Sequence, residues 1–186
     1  MAMESEIRNP QLPIFLIGFM ACGKSTTGEA LAVKLGRSFI DLDKQIEALT
    51  DQTIGDLIEK EGEERFRQLE SETLRKVAHA PAVVIALGGG AITRPENRQL
   101  LETAGLTVWL DAPFELCWQR IQQDSTVRPL APNEDEARAR FAERLPLYRQ
   151  AKLRIEINES QSTDEIVEAI IRQLVIDEPG RPQSAD

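Results

Sequence analysis

An α/β fold built on a parallel sheet with helices on both faces follows from three observations. Five short apolar runs alternate with helical stretches along the chain. Val83-Val84-Ile85-Ala86-Leu87 is apolar at every position, as expected for a central strand buried on both sides. Near the N-terminus, an apolar run breaks into Gly18-Phe-Met-Ala-Cys-Gly23-Lys24-Ser25 and then into a helical pattern. A strand, a glycine-bounded loop and a helix start gather backbone N–H groups around one anion.

In chain order, the first strand is expected at 13–17 and the first helix at 26–35, with the phosphate loop between them. Lys24 would reach the outer phosphates of a nucleoside triphosphate and Ser25 would bind Mg²⁺. A strand at 38–41 ends in Asp41-Leu42-Asp43. In extended backbone those two carboxylates point to the same side, one toward a metal and one toward an acceptor hydroxyl. Asp43 could instead cap the next helix. Helices follow at 45–49, 54–60 and 63–79, the last with an apolar stripe of Phe66, Leu69, Thr73, Leu74 and Val77. Arg67 flanks that stripe, and a pair with Glu70 explains it as well as a ligand does.

The strand at 82–87 runs into Gly88-Gly89-Gly90, which removes side chains where backbone approaches a ligand, or simply turns the chain. A helix at 95–103, a strand at 106–110 and a helix at 114–122 come next. The polar segment 123–133 contains Pro129 and Pro132 and reads as a lid or a plain connection. Arg128 within it is the natural positive charge to close over a γ-phosphate, and Arg128→Ala should lower kcat more than ATP binding. The helix at 134–145 places Ala137, Phe141, Arg144 and Tyr148 on one inward face, and Pro146 should end or kink it. A buried-face guanidinium needs an anion, either a ligand or an internal carboxylate. A strand at 153–157 and a helix at 163–174 complete the set. Each polar cluster follows a strand, toward the rim where open parallel sheets bind ligands.

The chain of 186 residues reads as one domain over 12–176, after a disordered or extended segment 1–11 and before a disordered tail 177–186. Its charge is −9, from 22 basic and 31 acidic residues, which disfavours nucleic acid. Cys22 and Cys117 make no disulfide framework, and no signal peptide or membrane span is legible. A cytoplasmic monomer is expected. The absence of an N-K-x-D motif argues against a GTPase switch.

With these motifs assembled, the chain resembles the shikimate kinase family over roughly 12–175. The carrying motifs are the phosphate loop through Thr26, Phe39-Ile-Asp41-Leu-Asp43, the stretch from Gly62 to Glu70, Leu87-Gly-Gly-Gly-Ala91, Val127-Arg128-Pro129-Leu130 and Arg144-Leu-Pro-Leu-Tyr148. The resemblance implies a three-layer P-loop fold like that of nucleoside monophosphate kinases, with a five-stranded parallel sheet and a mobile lid. It implies transfer of the ATP γ-phosphate to the 3-hydroxyl of shikimate with one Mg²⁺.

By the same resemblance, Ala21, Cys22, Gly23, Lys24, Ser25, Thr26, Arg120 and Arg128 bind ATP, with Arg120 packed on adenine. Ser25 and Asp41 hold the metal, and Asp43 holds the acceptor hydroxyl as a base. Arg67 and Arg144 clamp the shikimate carboxylate while the Gly89 backbone meets ring hydroxyls. Lys24, Asp43 and Arg128 are the catalytic set. A gluconate kinase or a silent nucleotide-binding homologue are the rival readings. The loop departs from the family wording at Ala21-Cys22, where alanine's poor tolerance of positive φ predicts an ordinary backbone at Ala21. Alkylation of Cys22 is expected to block ATP.

Overall fold

The computed structural model describes residues 11–124 and 130–176. Five parallel strands form one sheet in the order β2-β3-β1-β4-β5. They are β1 (Ile14–Ile17), β2 (Ser38–Asp41), β3 (Val83–Ala86), β4 (Leu106–Asp111) and β5 (Leu153–Glu156). The middle place belongs to β1, not to the wholly apolar β3, which pairs with β1 on one side and β2 on the other. Both are buried at every residue, because two helical layers cover both strands.

The helices are α1 (Lys24–Leu35), α2 (Leu42–Thr50), α3 (Ile54–Glu61), α4 (Glu63–Val77), α5 (Pro95–Ala104), α6 (Phe114–Gln123), α7 (Glu134–Tyr148) and α8 (Thr163–Ile176). A 3-10 turn at Ala91–Thr93 precedes α5. The connection from β1 to β2 moves one way along the sheet and that from β3 to β4 moves the other. Right-handed crossovers therefore put α1 and α5 on opposite faces. The ligand rim lies beyond the carboxyl ends of β1 and β3, where these connections diverge.

Local chemistry sets several boundaries. Gly36 takes the left-handed conformation that closes α1, and its N–H bonds to the Val33 carbonyl. Thr53 caps α3 through the Asp56 N–H, and Asn133 caps α7 through the Glu136 N–H. Helix α7 does not stop before Pro146. It runs on to Tyr148, and the Arg149 N–H closes onto the Leu145 carbonyl. Proline costs this helix one backbone donor, but neighbouring donors keep the last turn closed. That extra turn carries Tyr148 into the core, where it is 1% exposed.

Segments 1–10, 125–129 and 177–186 lie outside the described residues, and with them most of the N-terminal segment, the centre of the expected lid and the whole tail. Arg128 is among them.

Candidate active site

The nucleotide side is made mainly of backbone. After β1 the chain turns through Gly18 at φ +144° and Gly23 at φ +105° before entering α1. A Cβ at Gly18 would lie 2.7 Å from the Leu110 carbonyl oxygen and 2.9 Å from Cys22 Sγ, so no side chain fits. Ala21 corrects the expectation from sequence: its φ is +59°, in the left-handed region. The loop must curl its amides toward one centre, and that requirement overrides alanine's local preference. Cys22 is 1% exposed and packs into the core instead of facing solvent.

Helix α1 has no side-chain cap, so its first-turn N–H groups remain available to an anion. Lys24 Nζ donates to the carbonyls of Gly18 at 3.0 Å and Phe19 at 2.8 Å, holding the ammonium against the loop. Arg120 reaches across from α6, and its Nη1 donates to the Ala21 carbonyl at 3.3 Å. A cavity of about 560 Å³ is lined by loop residues 20–27 with Asp41, Asp43, Gly89 and Arg120.

The two aspartates divide their work differently from the extended-strand reading. Asp41 is the N-cap of α2, accepting from the Lys44 N–H through Oδ1 at 3.2 Å. Its Oδ2 accepts from Ser25 Oγ at 2.5 Å. Asp43 sits in the first turn of α2, so it is helical, and the capping role falls to its neighbour. Both still face the same cavity, because a cap and the residue two places on lie close at a helix start. Asp43 Oδ1 is buried and has no hydrogen-bond partner among the described residues. Burial, then the Asp41 charge, pushes its carboxyl up to about 6, with Lys24 and Arg67 opposing.

The second cavity, about 660 Å³, is made of side chains from α2, α3, α4 and α7 around the glycine loop. Arg67 is buried and paired, with Nη1 2.8 Å from Glu70 Oε2 and Nη2 3.2 Å from Glu63 Oε1. The internal pair expected from the spacing is present, and Arg67 also lines the cavity. Glu70 is fully buried, and burial pushes it up to about 7 despite Arg67. Arg144 is 3% exposed and makes no ion pair among the described residues. Burial lowers its proton affinity, and Arg67 and Arg140 act the same way.

The glycines explain how these groups converge. A Cβ on Gly88 would collide with the carboxylates of Glu70 and Asp43. One on Gly90 would fall 2.6 Å from Arg67 Nη1. Gly89 lies between the cavities, its Cβ position 3.3 Å from the Met20 nitrogen and 3.6 Å from Arg144 Nη1. Thus Lys24, Ser25, Thr26, Asp41, Asp43, Arg67, Gly89, Arg120 and Arg144 all come to one rim. Sequence reasoning undervalued Glu70, which it named only as a partner, and Met20, which lines both cavities. A glutamate three residues from an arginine on an apolar face was the available signal for the first. Nothing in the sequence distinguishes Met20.

Two cavities sharing the wall of Met20, Asp43 and Gly89, on a parallel sheet with a phosphate loop, define a P-loop kinase acting on a small molecule. More narrowly, the chain belongs to the shikimate kinase family, whose sequence model matches residues 20–175. A shikimate kinase from Nostoc punctiforme is 42% identical over 175 residues, covering 92% of this chain and 94% of that protein. A solved structure of shikimate kinase from Acinetobacter baumannii, in complex with shikimate, aligns at TM-score 0.83 and 40% identity. That alignment covers 93% of this chain and 96% of that one. A gluconokinase from Sinorhizobium meliloti shares the fold alone, at TM-score 0.57 and 18% identity. The chain is an ATP-dependent phosphotransferase by this membership. No described helix is long and apolar enough to cross a membrane.

Proposed function

We propose that this chain transfers the γ-phosphate of ATP to the 3-hydroxyl of shikimate, giving shikimate 3-phosphate and ADP. The observation that carries the reading is the shared wall: among the described residues, Asp43 is the carboxylate that lines both cavities. Phosphoryl transfer asks mainly for positioning and charge neutralisation. The loop amides and the α1 N-terminus supply oriented dipoles for the phosphates. Lys24 exchanges its carbonyl contacts for the outer phosphates. Asp43, though raised to about 6, is mostly ionised at neutral pH and accepts the hydroxyl proton.

Ser25 and Asp41 would hold Mg²⁺. Their adjacent hydroxyl and carboxylate oxygens suit a hard cation that keeps waters and phosphate ligands. When bound, the ion neutralises charge on the phosphates. Arg144, paired with no carboxylate among the described residues, takes the shikimate carboxylate together with Arg67, and the Gly89 backbone meets the ring. Arg128, outside the described residues, keeps its lid role on the resemblance alone. Residues 12–176 act as the single kinase domain. The acidic balance and two free cysteines support a cytoplasmic monomer without a nucleic-acid partner.

The test is ADP release from ATP and Mg²⁺ by purified protein, with shikimate and separately with gluconate. Release only with shikimate is expected. Turnover of gluconate in its place would overturn the assignment.

A further inference from the structure

Tyr148 is the largest fully buried side chain, yet no step above uses it. Its hydroxyl donates to the Gly89 carbonyl at 2.5 Å, across 59 positions of sequence. Arg144 stands one helical turn earlier on α7, with its Nη1 3.6 Å from the position a Cβ on Gly89 would take. The phenol proton thus goes to the glycine loop beside which the guanidinium lies. The ring is held too, stacked on Trp109 with centroids 6.2 Å apart and planes 24° apart. Stacking and the hydrogen bond together fix where the hydroxyl lies.

The consequence follows from peptide planarity. In a trans peptide the C=O and the following N–H point to opposite sides. Fixing the Gly89 carbonyl on Tyr148 therefore aims the Gly90 N–H away from the core. Among the described residues, the N–H groups of Gly89 and Gly90 donate to no acceptor. Both glycines line the acceptor cavity. Glycine's freedom would otherwise let this peptide plane rotate.

We propose that Tyr148 is a positioning residue of the acceptor site, holding the Gly89 carbonyl so that the glycine-loop amides face the acceptor beside the Arg144 guanidinium. It rests on the assignment of that cavity to shikimate. The residue acts through Gly89 and touches neither ATP nor the reacting atoms.

The test is steady-state kinetics and thermal melting of Tyr148→Phe, which keeps the ring and its stacking, alone and with Arg144→Ala. Wild-type turnover of shikimate checks the cavity assignment separately, because that assignment fails if wild-type turns over no shikimate. For the variant, a rise of about tenfold in the shikimate KM is expected, with the ATP KM unchanged. In the Arg144→Ala background the same change should have much less effect, since both residues bear on Gly89. An unchanged shikimate KM in Tyr148→Phe overturns the proposal. So does a full, additive effect in the double variant. Equal rises in both KM values, or a variant that does not fold, reassign Tyr148 to general stability and overturn it as well.

Discussion

The donor and acceptor sides of this rim are built by opposite means. The phosphate loop is a local object: eight consecutive residues, backbone amides, one lysine and a helix end. The acceptor cavity is assembled from α2, α3, α4, α7 and the glycine loop, with charged side chains taken out of water. Backbone amides bind an anion without burying any charge of their own. Arg67, Glu70 and Arg144 carry a desolvation cost, which Arg67 and Glu70 offset by pairing and Arg144 only in part. In the reading proposed above, the loop side can therefore be general to nucleotides, while the buried charges of the second cavity suit one ligand.

The wall between them is the first place to break this contrast. Asp43→Asn keeps the shape and removes the base, so kcat should fall about a thousandfold while both KM values stay within a few-fold. Steady-state kinetics checks it, and a large change in either KM would place Asp43 in binding instead of chemistry. Next in size is Gly90→Ala, which drives a Cβ into the Arg67 guanidinium. The shikimate KM should rise about tenfold with the ATP KM unmoved. Equal changes in both would mean that the two sides are not separately built.

A smaller effect reads the buried charge directly. Glu70 is raised in the folded protein to about 7, so the native state holds its proton more tightly than the unfolded chain. Stability from this group is full below its unfolded value and is lost as pH rises to about 7. Glu70→Gln should flatten the fall of Tm between about pH 4.5 and 7. The fall should not vanish, because Asp43 titrates in the same direction up to about 6. An unchanged slope would remove Glu70 as its source. The smallest effect belongs to the donor side. Ala21→Gly relieves a left-handed alanine, worth about 1 kcal/mol, but adds unfolded-state freedom. Thermal melting should move by no more than a few degrees.

The contrast also decides what could be read in advance. The loop, and the five strands and eight helices of the described residues, were legible because each is a local pattern of period or spacing. Ala21 was misread because its φ is imposed by the loop as a whole and not by its own side chain. The helix of Asp43 was begun three residues late, since the Asp41 cap became visible only with its Lys44 partner. Arg67 could not be settled from spacing, because a residue paired to Glu70 and a residue lining a cavity turned out to be the same one. Tyr148 was placed on an inward face, but its link to Gly89 joins residues 59 apart and no periodicity reports it.

Calorimetric titration of ATP and of shikimate into Lys24→Ala tests the central claim, two separately built sides meeting at one wall. The account predicts ATP binding weakened at least about tenfold and shikimate binding changed by less than about threefold. Comparable loss of both ligands would contradict it.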